Sequence, residues 1–300
     1  MKDNPRSKRL LIGKKLSNSI LNLAAFTARL LPQPLRNVIY RIEFLAAIVR
    51  FVLNRVSPNE LKVVSVAAGQ LIGKRMLLDL KLEKDYWLGN YEPSLVSSII
   101  DMVKPGMIAY DLGANIGYVT LLLAQTVGPE GHVFAFEPLA SNIERLQQNI
   151  TMNGMEKRIS VHFAAVAAYN GKANFLIGPS IGTGKLEGSV GRKENRYTES
   201  TSIQAIALDD FIYRDGNPKP DIIKMDIEGG EVLAIQGMER IFHNARPLVF
   251  LELHGFEAAE VVWTKLMEAD YQFFQMRSGY PKINSLNDLG WKSYIIAKPI

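Results

Sequence analysis

The chain has 300 residues, of which 47% are hydrophobic and 22% are charged. These proportions are typical of a folded globular protein and exclude a disordered chain. Because the sequence has no cysteine, a disulfide framework, a thiolate zinc site and a cysteine nucleophile are also excluded.

The net charge of +5 is distributed unevenly along the chain. Residues 1–60 contain eleven Lys or Arg and three Asp or Glu, a balance of +8. The other 240 residues contain 24 basic and 27 acidic side chains, a balance of −3. Since the excess of basic charge belongs to the first segment, we expect no nucleic-acid partner for the rest of the chain.

Residues 1–60 are predicted to form a basic amphipathic helical segment that Pro32 and Pro34 interrupt. No apolar run in it reaches the roughly 18 residues needed to span a bilayer. One interpretation is a helical cap on the main domain, and another is peripheral attachment to an anionic membrane. A transit peptide has a similar composition and is a third interpretation. We expect a cytoplasmic protein, which is peripheral on the membrane if the second interpretation holds.

Residues 61–300 are predicted to form one domain. Two short strand patterns around residues 69–73 indicate a hairpin. Strand and helix patterns then alternate, which predicts an α/β fold with a mostly parallel twisted sheet and helices on both faces. The predicted strands are "MIAYDL", "HVFAFEP", "ISVHFAAV", "DIIKMDIEG", "RPLVFLELHG", "YQFFQM" and "KSYIIAK". Four helices are predicted between them: one that begins at Tyr118, one at residues 139–151, one through "EVLAIQGMERIF" and one at residues 256–269.

Residues 178–200 do not follow this alternation, because they are glycine-rich and polar with little periodicity. A loop of this length in a compact domain is usually functional or disordered. We therefore expect it to contribute to the pocket of a variable substrate.

The stretch "DLGANIG", residues 111–117, joins the end of a predicted strand to the start of a helix. Small residues at Gly113 and Gly117 let a ligand approach the backbone at a helix N-terminus. The spacing is not the G-x-G-x-x-G of a dinucleotide site. A carboxylate at Asp111, directly before this turn, suits a cationic ligand group better than a diphosphate.

Glu137 ends the next predicted strand, 26 residues after Asp111. An acid at this strand end is placed to accept hydrogen bonds from both hydroxyls of a ribose. The alternative is an exposed acid at the end of a strand, without a ligand.

Six segments, taken together and in this order, resemble the FkbM family of S-adenosylmethionine-dependent methyltransferases. The resemblance covers about residues 85–255, and its most specific part is K-x-D-x-E-G-x-E, which begins at Lys224. It implies a class I methyltransferase Rossmann-like fold, S-adenosyl-L-methionine as cofactor, and methylation of a hydroxyl on a sugar, glycan, polyketide or other small molecule. The segments are "DLGANIGYVTLLLA", "GHVFAFEP", "NIERLQQNITMNG", "LDDF", "IIKMDIEGGEVLAIQGM" and "RPLVFLELHG".

The resemblance also implies which residues hold the cofactor. The turn after Asp111 passes the methionine part, Glu137 holds the ribose, and Pro138 shapes the adenine edge. Ala164 or Ala165 lies beside the adenine, and Glu92 either closes over the cofactor or is an exposed helix start. The predicted cofactor-binding residues are Glu92, Asp111, Gly113, Ala114, Asn115, Gly117, Glu137, Pro138, Ala165 and Asp226.

Asp226, Glu228 and His254 are the predicted catalytic residues. Methyl transfer from a sulfonium is a displacement that requires alignment, and an alcohol acceptor also requires a base. Asp226 and Glu228 follow one predicted strand and His254 ends the next, and a histidine is the most natural base at neutral pH. We predict no metal, and the alternative is Mg²⁺ held by these three residues and Glu252.

Three nearby polar residues are predicted to have structural roles. Lys224 lies within a strand and, if it is buried, must be paired, for which Glu252 is the candidate. Glu231 is interpreted as an acid at the start of a helix. In "LDDF", Asp209 or Asp210 is predicted to cap a helix N-terminus.

Two other classes of function compete with methyl transfer. A nucleotide-dependent oxidoreductase on a related sheet is disfavoured by the missing middle glycine of the turn. A catalytically inactive, membrane-associated scaffold is disfavoured because the acids Asp111, Glu137 and Asp226 are all present.

Overall fold

The computed structural model describes residues 60–300, apart from 179–183, 191–196 and 198, and six isolated positions before residue 60. The helices predicted within residues 1–60 therefore lie outside the described residues, except at five positions that are helical: Ser19, Leu23, Phe26, Thr27 and Arg55. The chain divides into two compact units, Met1–Tyr91 and Glu92–Ile300. The predicted domain boundary near residue 60 stays a prediction.

In the first unit, β1 (Lys62–Ser65) pairs antiparallel with β2 (Arg75–Leu78), as the sequence predicts. The short helix α1 (Lys84–Leu88) follows and ends at Gly89. A Cβ at Gly89 would lie 1.9 Å from the carbonyl oxygen of Ala68, so that only glycine fits this close approach.

The second unit contains most of the regular structure. In chain order its elements are α2 (Pro93–Met102), β3 (Ile108–Leu112), α3 (Tyr118–Thr126), β4 (His132–Phe136), α4 (Ala140–Met152), β5 (Ile159–His162), β6 (Ala165–Val166), β7 (Gly171–Ile177), β8 (Gly184–Leu186), β9 (Glu199–Ile206), α5 (Leu208–Tyr213), β10 (Ile222–Met225), α6 (Glu231–Gln236), β11 (Leu248–His254), α7 (Phe256–Glu268), β12 (Tyr271–Gln275), β13 (Lys282–Ile283) and β14 (Lys292–Pro299). A π-helical turn lies at Ile241–Ala245 and a 3₁₀ turn at Leu286–Asp288.

A large sheet has the strand order β13-β12-β14-β11-β10-β3-β4-β5. The strands from β11 to β5 are parallel neighbours, whereas β14 is inserted between β11 and β12 and is antiparallel to both. From the centre of the sheet, β3, β4 and β5 follow one another towards one edge, and β10 and β11 follow one another towards the other edge. The switch point between these halves lies at the carboxyl ends of β3 and β10, where open α/β sheets bind ligands.

Burial explains why these segments form the centre of the sheet. Every residue of β10 is buried, and β11 is buried from its second residue onward. Helix α3 packs on β3 and β4, and α7 packs on β11 and β12. Right-handed crossovers that run in opposite directions place these helices on opposite faces. The predicted sheet with helices on both faces is confirmed.

The predicted third strand, "ISVHFAAV", is wrong as one element. The chain turns after β5, where the Ala164 amide donates to the His162 carbonyl oxygen at 2.9 Å. It then enters β6, which belongs to a separate four-stranded sheet of order β6-β9-β7-β8. Strand β8 lies within the predicted loop 178–200, so this stretch is partly regular among its described residues.

Two helix predictions also need correction. The helix predicted through "EVLAIQGMERIF" ends at Gln236, and Gly237 is its C-cap residue. Only glycine fits at position 237, because a Cβ there would lie 2.2 Å from the carbonyl oxygen of Ala167. Neither Asp209 nor Asp210 caps α5, because its N-cap residue is Ala207 and both acids lie in its first turn. The carboxylate of Asp209 instead accepts the amides of Arg240 and Ile241, each at 2.9 Å, and so caps the π-helical turn.

Among the residues that the structure describes, no helix is long and apolar enough to cross a bilayer.

Candidate active site

The turn between β3 and α3 approaches the end of β10 closely. Gly113 has φ +78°, and a Cβ on it would lie 2.0 Å from the carbonyl oxygen of Asp226. The amides of Gly113 and Ala114 both donate to the carbonyl oxygen of Phe136, at 3.0 Å. Glycine at position 113 therefore lets the ends of β3, β4 and β10 meet.

The carboxylate of Asp111 is fully buried beneath this turn. Thr120 donates its hydroxyl to Asp111 Oδ2 at 2.6 Å, and Lys224 Nζ lies 3.1 Å from Asp111 Oδ1. Lys224 also donates to the carbonyl oxygen of Gly113 at 2.9 Å. The predicted pairing of Lys224 with Glu252 is thus wrong, because Lys224 reaches across the sheet to the neighbouring strand β3.

Lys224 remains charged although it is buried. Burial favours the neutral amine, but the charge of Asp111, followed by those of Asp226 and Glu92, raises the pKa of Lys224 above its ordinary value. A buried cation at the switch point compensates part of the negative charge that the strand ends collect.

Glu137 is buried and accepts three hydrogen bonds. Its Oε2 accepts the amide of Asn115 at 2.9 Å, and its Oε1 accepts the amide of Leu139 at 3.0 Å and the side-chain amide of Asn142 at 3.1 Å. A carboxylate has about four acceptor positions, so Oε2 can accept one more donor. Burial raises the pKa of Glu137 to about 7, against the effect of these three bonds. Its role at a ribose stays a prediction.

Four further residues predicted around the cofactor lie in this region or next to it. Asn115 has φ +50°, and Gly117 has φ +95°, where a Cβ would lie 2.5 Å from Leu146. Pro138 is half-buried directly after Glu137. Ala165 is buried in the small sheet, in an apolar cluster separate from the large core. Contact of Pro138 or Ala165 with an adenine stays a prediction.

A cluster of acids lies at the carboxyl ends of β10 and β11. Carboxylate oxygens of Glu92, Asp226 and Glu252 lie within 4.8 Å of one another. Burial, and then the charges of Glu252 and Asp226, raise the pKa of Glu92 to about 8. Burial raises the pKa of Asp226 to about 6, with Lys224 opposing the rise. Glu92, predicted to close over a cofactor, is therefore a member of this cluster.

His254 completes the cluster at the end of β11, and its side chain is 1% exposed. Its Nδ1 lies 3.2 Å from Glu231 Oε1, and its Nε2 lies 3.0 Å from Glu252 Oε1 and 3.8 Å from Glu228 Oε2. Although burial favours the neutral ring, contacts with Glu231 and Glu252 raise the pKa of His254 to about 10. These two glutamates favour the protonated ring, and the role of His254 as general base stays a prediction.

Two members of the cluster were not assigned to the site from the sequence. Glu231 is fully buried, and besides His254 it accepts the amide of Ile227 at 3.4 Å. Lys292 of β14 forms an ion pair with Glu252, in the register where it faces His254 across the strands. Although burial favours the neutral acid, His254 and Lys292 lower the pKa of Glu252 to about 2.

Exposed aromatic side chains flank the end of β11. Phe256 is 65% exposed and Trp291 is 39% exposed. The amide of Gly255 donates to the carbonyl oxygen of Trp291 at 2.7 Å. The ring of Trp291 stands edge-on to His254, with the centroids 6.5 Å apart. Apolar surface therefore borders the charged cluster.

The residues fit a cofactor that carries positive charge. The acids of the cluster outnumber its lysines, and Glu252 Oε2 has no hydrogen-bond partner among the described residues. Glu137 keeps an acceptor position at the neighbouring strand end. This set suits a sulfonium ion and an amino group on one side and ribose hydroxyls on the other.

The strand order, with the reversed strand β14 inserted between β11 and β12, and the site at the switch point define the class I methyltransferase Rossmann-like fold predicted from the sequence. Residues 111–278 match the family model described as the methyltransferase FkbM domain. This match covers more than half of the chain, which therefore belongs to the FkbM methyltransferase family.

The chain is also similar to individual proteins. It is 25% identical to the hexuronic acid methyltransferase AglP of Haloferax volcanii over 59% of this chain and 67% of AglP. It is 29% identical to the 2-O-methyltransferase NoeI of Sinorhizobium fredii over 48% of this chain and 62% of NoeI. A crystal structure of methyltransferase FkbM from Methylobacillus flagellatus matches with 18% identity and a TM-score of 0.42, over 73% of this chain and 53% of that one. The chain thus spans about half to two thirds of these proteins.

Proposed function

We propose that the protein is an S-adenosyl-L-methionine-dependent methyltransferase that methylates a hydroxyl group on a sugar, glycan or related small molecule. The observation that carries the proposal is the acid cluster at the ends of β10 and β11, directly beside the glycine turn that follows β3. Family membership supports the class of reaction.

The residues at the ends of β3 and β4 would hold the cofactor. Glu137 would accept the ribose hydroxyls, and the backbone from Gly113 to Asn115 would pass the methionine part. Glu92 would lie on the side of the cofactor opposite Glu137, and the acid cluster would face the positive charge of the sulfonium. When bound, S-adenosyl-L-methionine supplies an electrophilic methyl group.

Asp226 is the residue that we assign to proton removal. It follows β10, its backbone contacts the glycine turn, and its carboxylate lies in the cluster that would face the methyl group of the bound cofactor. A base within hydrogen-bond reach takes the proton of an alcohol as the oxygen attacks. Glu228 follows at the exposed edge and would orient the acceptor hydroxyl.

Two observations support a sugar-like acceptor. The exposed rings of Phe256 and Trp291 border the cluster, and binding sites commonly combine aromatic surface with a few convergent polar groups. The relatives AglP and NoeI are named as a hexuronic acid methyltransferase and a 2-O-methyltransferase. The name of NoeI also supports oxygen as the methylated atom.

We also propose that residues 1–60 attach the protein to the cytoplasmic side of a membrane. Their charge balance is +8, and each Lys or Arg near an anionic surface contributes about 1 kcal/mol. Leu23 and Phe26 are helical, and more than half of each side chain is exposed. Apolar side chains on a basic helix are the groups that enter a membrane interface.

The proposed reaction is tested first by calorimetric titration with S-adenosyl-L-methionine and, in parallel, with NAD. We expect binding of the first and none of the second, and the reverse result would favour an oxidoreductase. The protein is then incubated with methyl-labelled cofactor and a panel of neutral sugars and hexuronic acids. We expect label on a sugar oxygen, located by mass spectrometry. A folded protein that does not bind S-adenosyl-L-methionine would refute the proposal.

A further inference from the structure

His254 presents a buried nitrogen to three carboxylates without a hydrogen bond. Its Nε2 has no hydrogen-bond partner in the described part of the chain, although it lies 3.0 Å from Glu252 Oε1. Buried polar atoms are nearly always hydrogen-bonded, and each exception requires an explanation. A ligand atom or ion that binds Nε2 in the plane of the imidazole ring would explain this exception.

The other ring nitrogen is already fixed. Nδ1 lies 3.2 Å from Oε1 of Glu231, whose side chain is fully buried. When Nδ1–H donates to this carboxylate, Nε2 presents its lone pair to the cluster. A carboxylate behind a histidine is the arrangement that orients a metal-bound imidazole in many proteins.

Two carboxylates complete a set of three ligand atoms. Oxygens of Asp226 and Glu228 and a ring nitrogen of His254 all lie within 4.8 Å of one another. Ligand atoms on opposite sides of an ion are about 4–4.5 Å apart, so that small side-chain rotations bring these three onto one centre. Glu228 is 45% exposed, and it has room to rotate and leaves a path for entry.

We propose that Asp226, Glu228 and His254 bind one divalent cation, of the Mg²⁺ or Mn²⁺ class. Carboxylate oxygens suit both ions, and the imidazole favours Mn²⁺. Lys292 neutralises Glu252, which leaves Glu252 beside the ion rather than bound to it. The ion binds the ring in the form in which Nδ1 carries the proton and donates it to Glu231.

The role of the ion rests on the proposed function. A cation held by Asp226, Glu228 and His254 would bind the acceptor hydroxyl and lower its pKa, and the carboxylate oxygen of Asp226 that does not bind the ion would take the proton as the hydroxyl oxygen attacks. The ion also fixes the distance between the acceptor and the methyl group. The site thereby selects acceptors whose hydroxyl can reach an ion at the edge of the cluster.

The test measures Mn²⁺ binding to the full chain, stripped with EDTA, without cofactor or acceptor. Electron paramagnetic resonance reports free Mn²⁺, and we expect about one bound ion per chain. Glu228→Gln and His254→Ala should each weaken the affinity for Mn²⁺ at least about tenfold. Glu231 does not contact the ion but orients His254, so Glu231→Gln should weaken the affinity about 10- to 100-fold. Glu260→Gln, an exposed acid on α7, is the matched control and should bind as the unchanged protein does.

Circular dichroism confirms that each variant is folded before titration. If the folded, unchanged protein binds no Mn²⁺, or if a Glu228→Gln, His254→Ala double variant binds it equally well, the site is refuted. Because the titration contains no cofactor, these outcomes are independent of methyl transfer. A metal-free protein that methylates at the full rate would leave the proposed function intact and overturn the catalytic role of the ion.

Discussion

Glu231 and His254 meet in the interior although they are 23 residues apart, with 3.2 Å between Glu231 Oε1 and His254 Nδ1. Helix α6 places the first side chain and the end of β11 places the second. Both side chains are at most 1% exposed. This contact fixes the ring of His254 and places a carboxylate beside its charged form.

We predict that Glu231→Gln destabilises the fold, because breaking one partner of a buried ion pair leaves the other uncompensated. The free energy of unfolding should fall by about 3 kcal/mol, and most of this loss should disappear in a His254→Ala background. Urea denaturation of the two single variants and the double variant measures the coupling. Glu239→Gln removes a surface pair with Lys265 and should change stability little. Independent, additive effects of Glu231 and His254 would contradict the pairing.

We predict that Gly113→Ala damages both stability and cofactor binding. Its Cβ would meet the carbonyl oxygen of Asp226 at 2.0 Å, whereas Gly216, with the same φ of +78°, has no atom within 4 Å of that position. Gly216→Ala should therefore cost only the backbone strain, about 1–2 kcal/mol, and Gly113→Ala clearly more. Urea denaturation and titration with S-adenosyl-L-methionine measure the difference. Equal effects would mean that the turn and β10 can separate freely.

We predict that cofactor affinity rises with pH through about 7, because the ribose hydroxyls donate to an ionised Glu137. The folded pKa of Glu137 is about 7, so the group keeps its proton at pH 6 and loses it by pH 8. Affinity for the demethylated product should increase up to about tenfold over this range. In Glu137→Gln the dependence of the affinity on pH should vanish. In Glu137→Ala the affinity should be about 30- to 150-fold weaker than in the unchanged protein. Unchanged affinity in a folded Glu137→Ala protein would refute the ribose assignment.

The same shift predicts an effect on stability. Because the folded pKa of Glu137 is raised above the value of 4.5 for the free group, the folded state binds the extra proton between these values. This contribution to the free energy of unfolding is largest below about pH 4.5 and is lost as the pH rises through 7. The difference between the unchanged protein and Glu137→Gln isolates it.

We predict that residues 1–60 bind anionic vesicles in a salt-sensitive manner. Changing Lys8, Arg9, Lys14 and Lys15 to Gln in the full chain should reduce co-sedimentation with vesicles that contain phosphatidylserine. The matched control changes four exposed lysines of the second unit to Gln and should bind as before. These are Lys104, Lys157, Lys219 and Lys282. Equal binding by both variants would favour the interpretation of these helices as a cap.

The sequence predicted the parts of the site that depend on local pattern. Asp111 lies near the end of β3, and Glu137 and Asp226 directly follow β4 and β10. These strands are recognisable as apolar runs, and parallel strands bring their carboxyl ends to one edge. The partners within the cluster were not predictable in the same way. Lys224 pairs with Asp111 rather than Glu252, and this follows from the position of β3 beside β10, which the order of elements along the chain does not fix.

Pairing across β14 was missed for a related reason. Strand β14 is inserted between β11 and β12, and only this register brings Lys292 opposite His254. The two glutamates beside His254, which favour its protonated form, were not predictable either, because one lies on a different element and the other lies two positions earlier on the same strand. The split of "ISVHFAAV" into β5 and β6 has no signal in its apolar pattern, which continues through the turn.

The most direct test of the central claim is the single-turnover rate of methyl transfer by Asp226→Asn, at saturating cofactor and with an acceptor that the unchanged protein methylates. If Asp226 removes the proton of the hydroxyl, the rate falls about 10²- to 10⁴-fold while the affinity for S-adenosyl-L-methionine changes little. The matched control is Asp215→Asn, a surface acid paired with Arg214, and it should retain the full rate. A full rate in Asp226→Asn would contradict the account, because the acid cluster would then not be the place where the acceptor reacts.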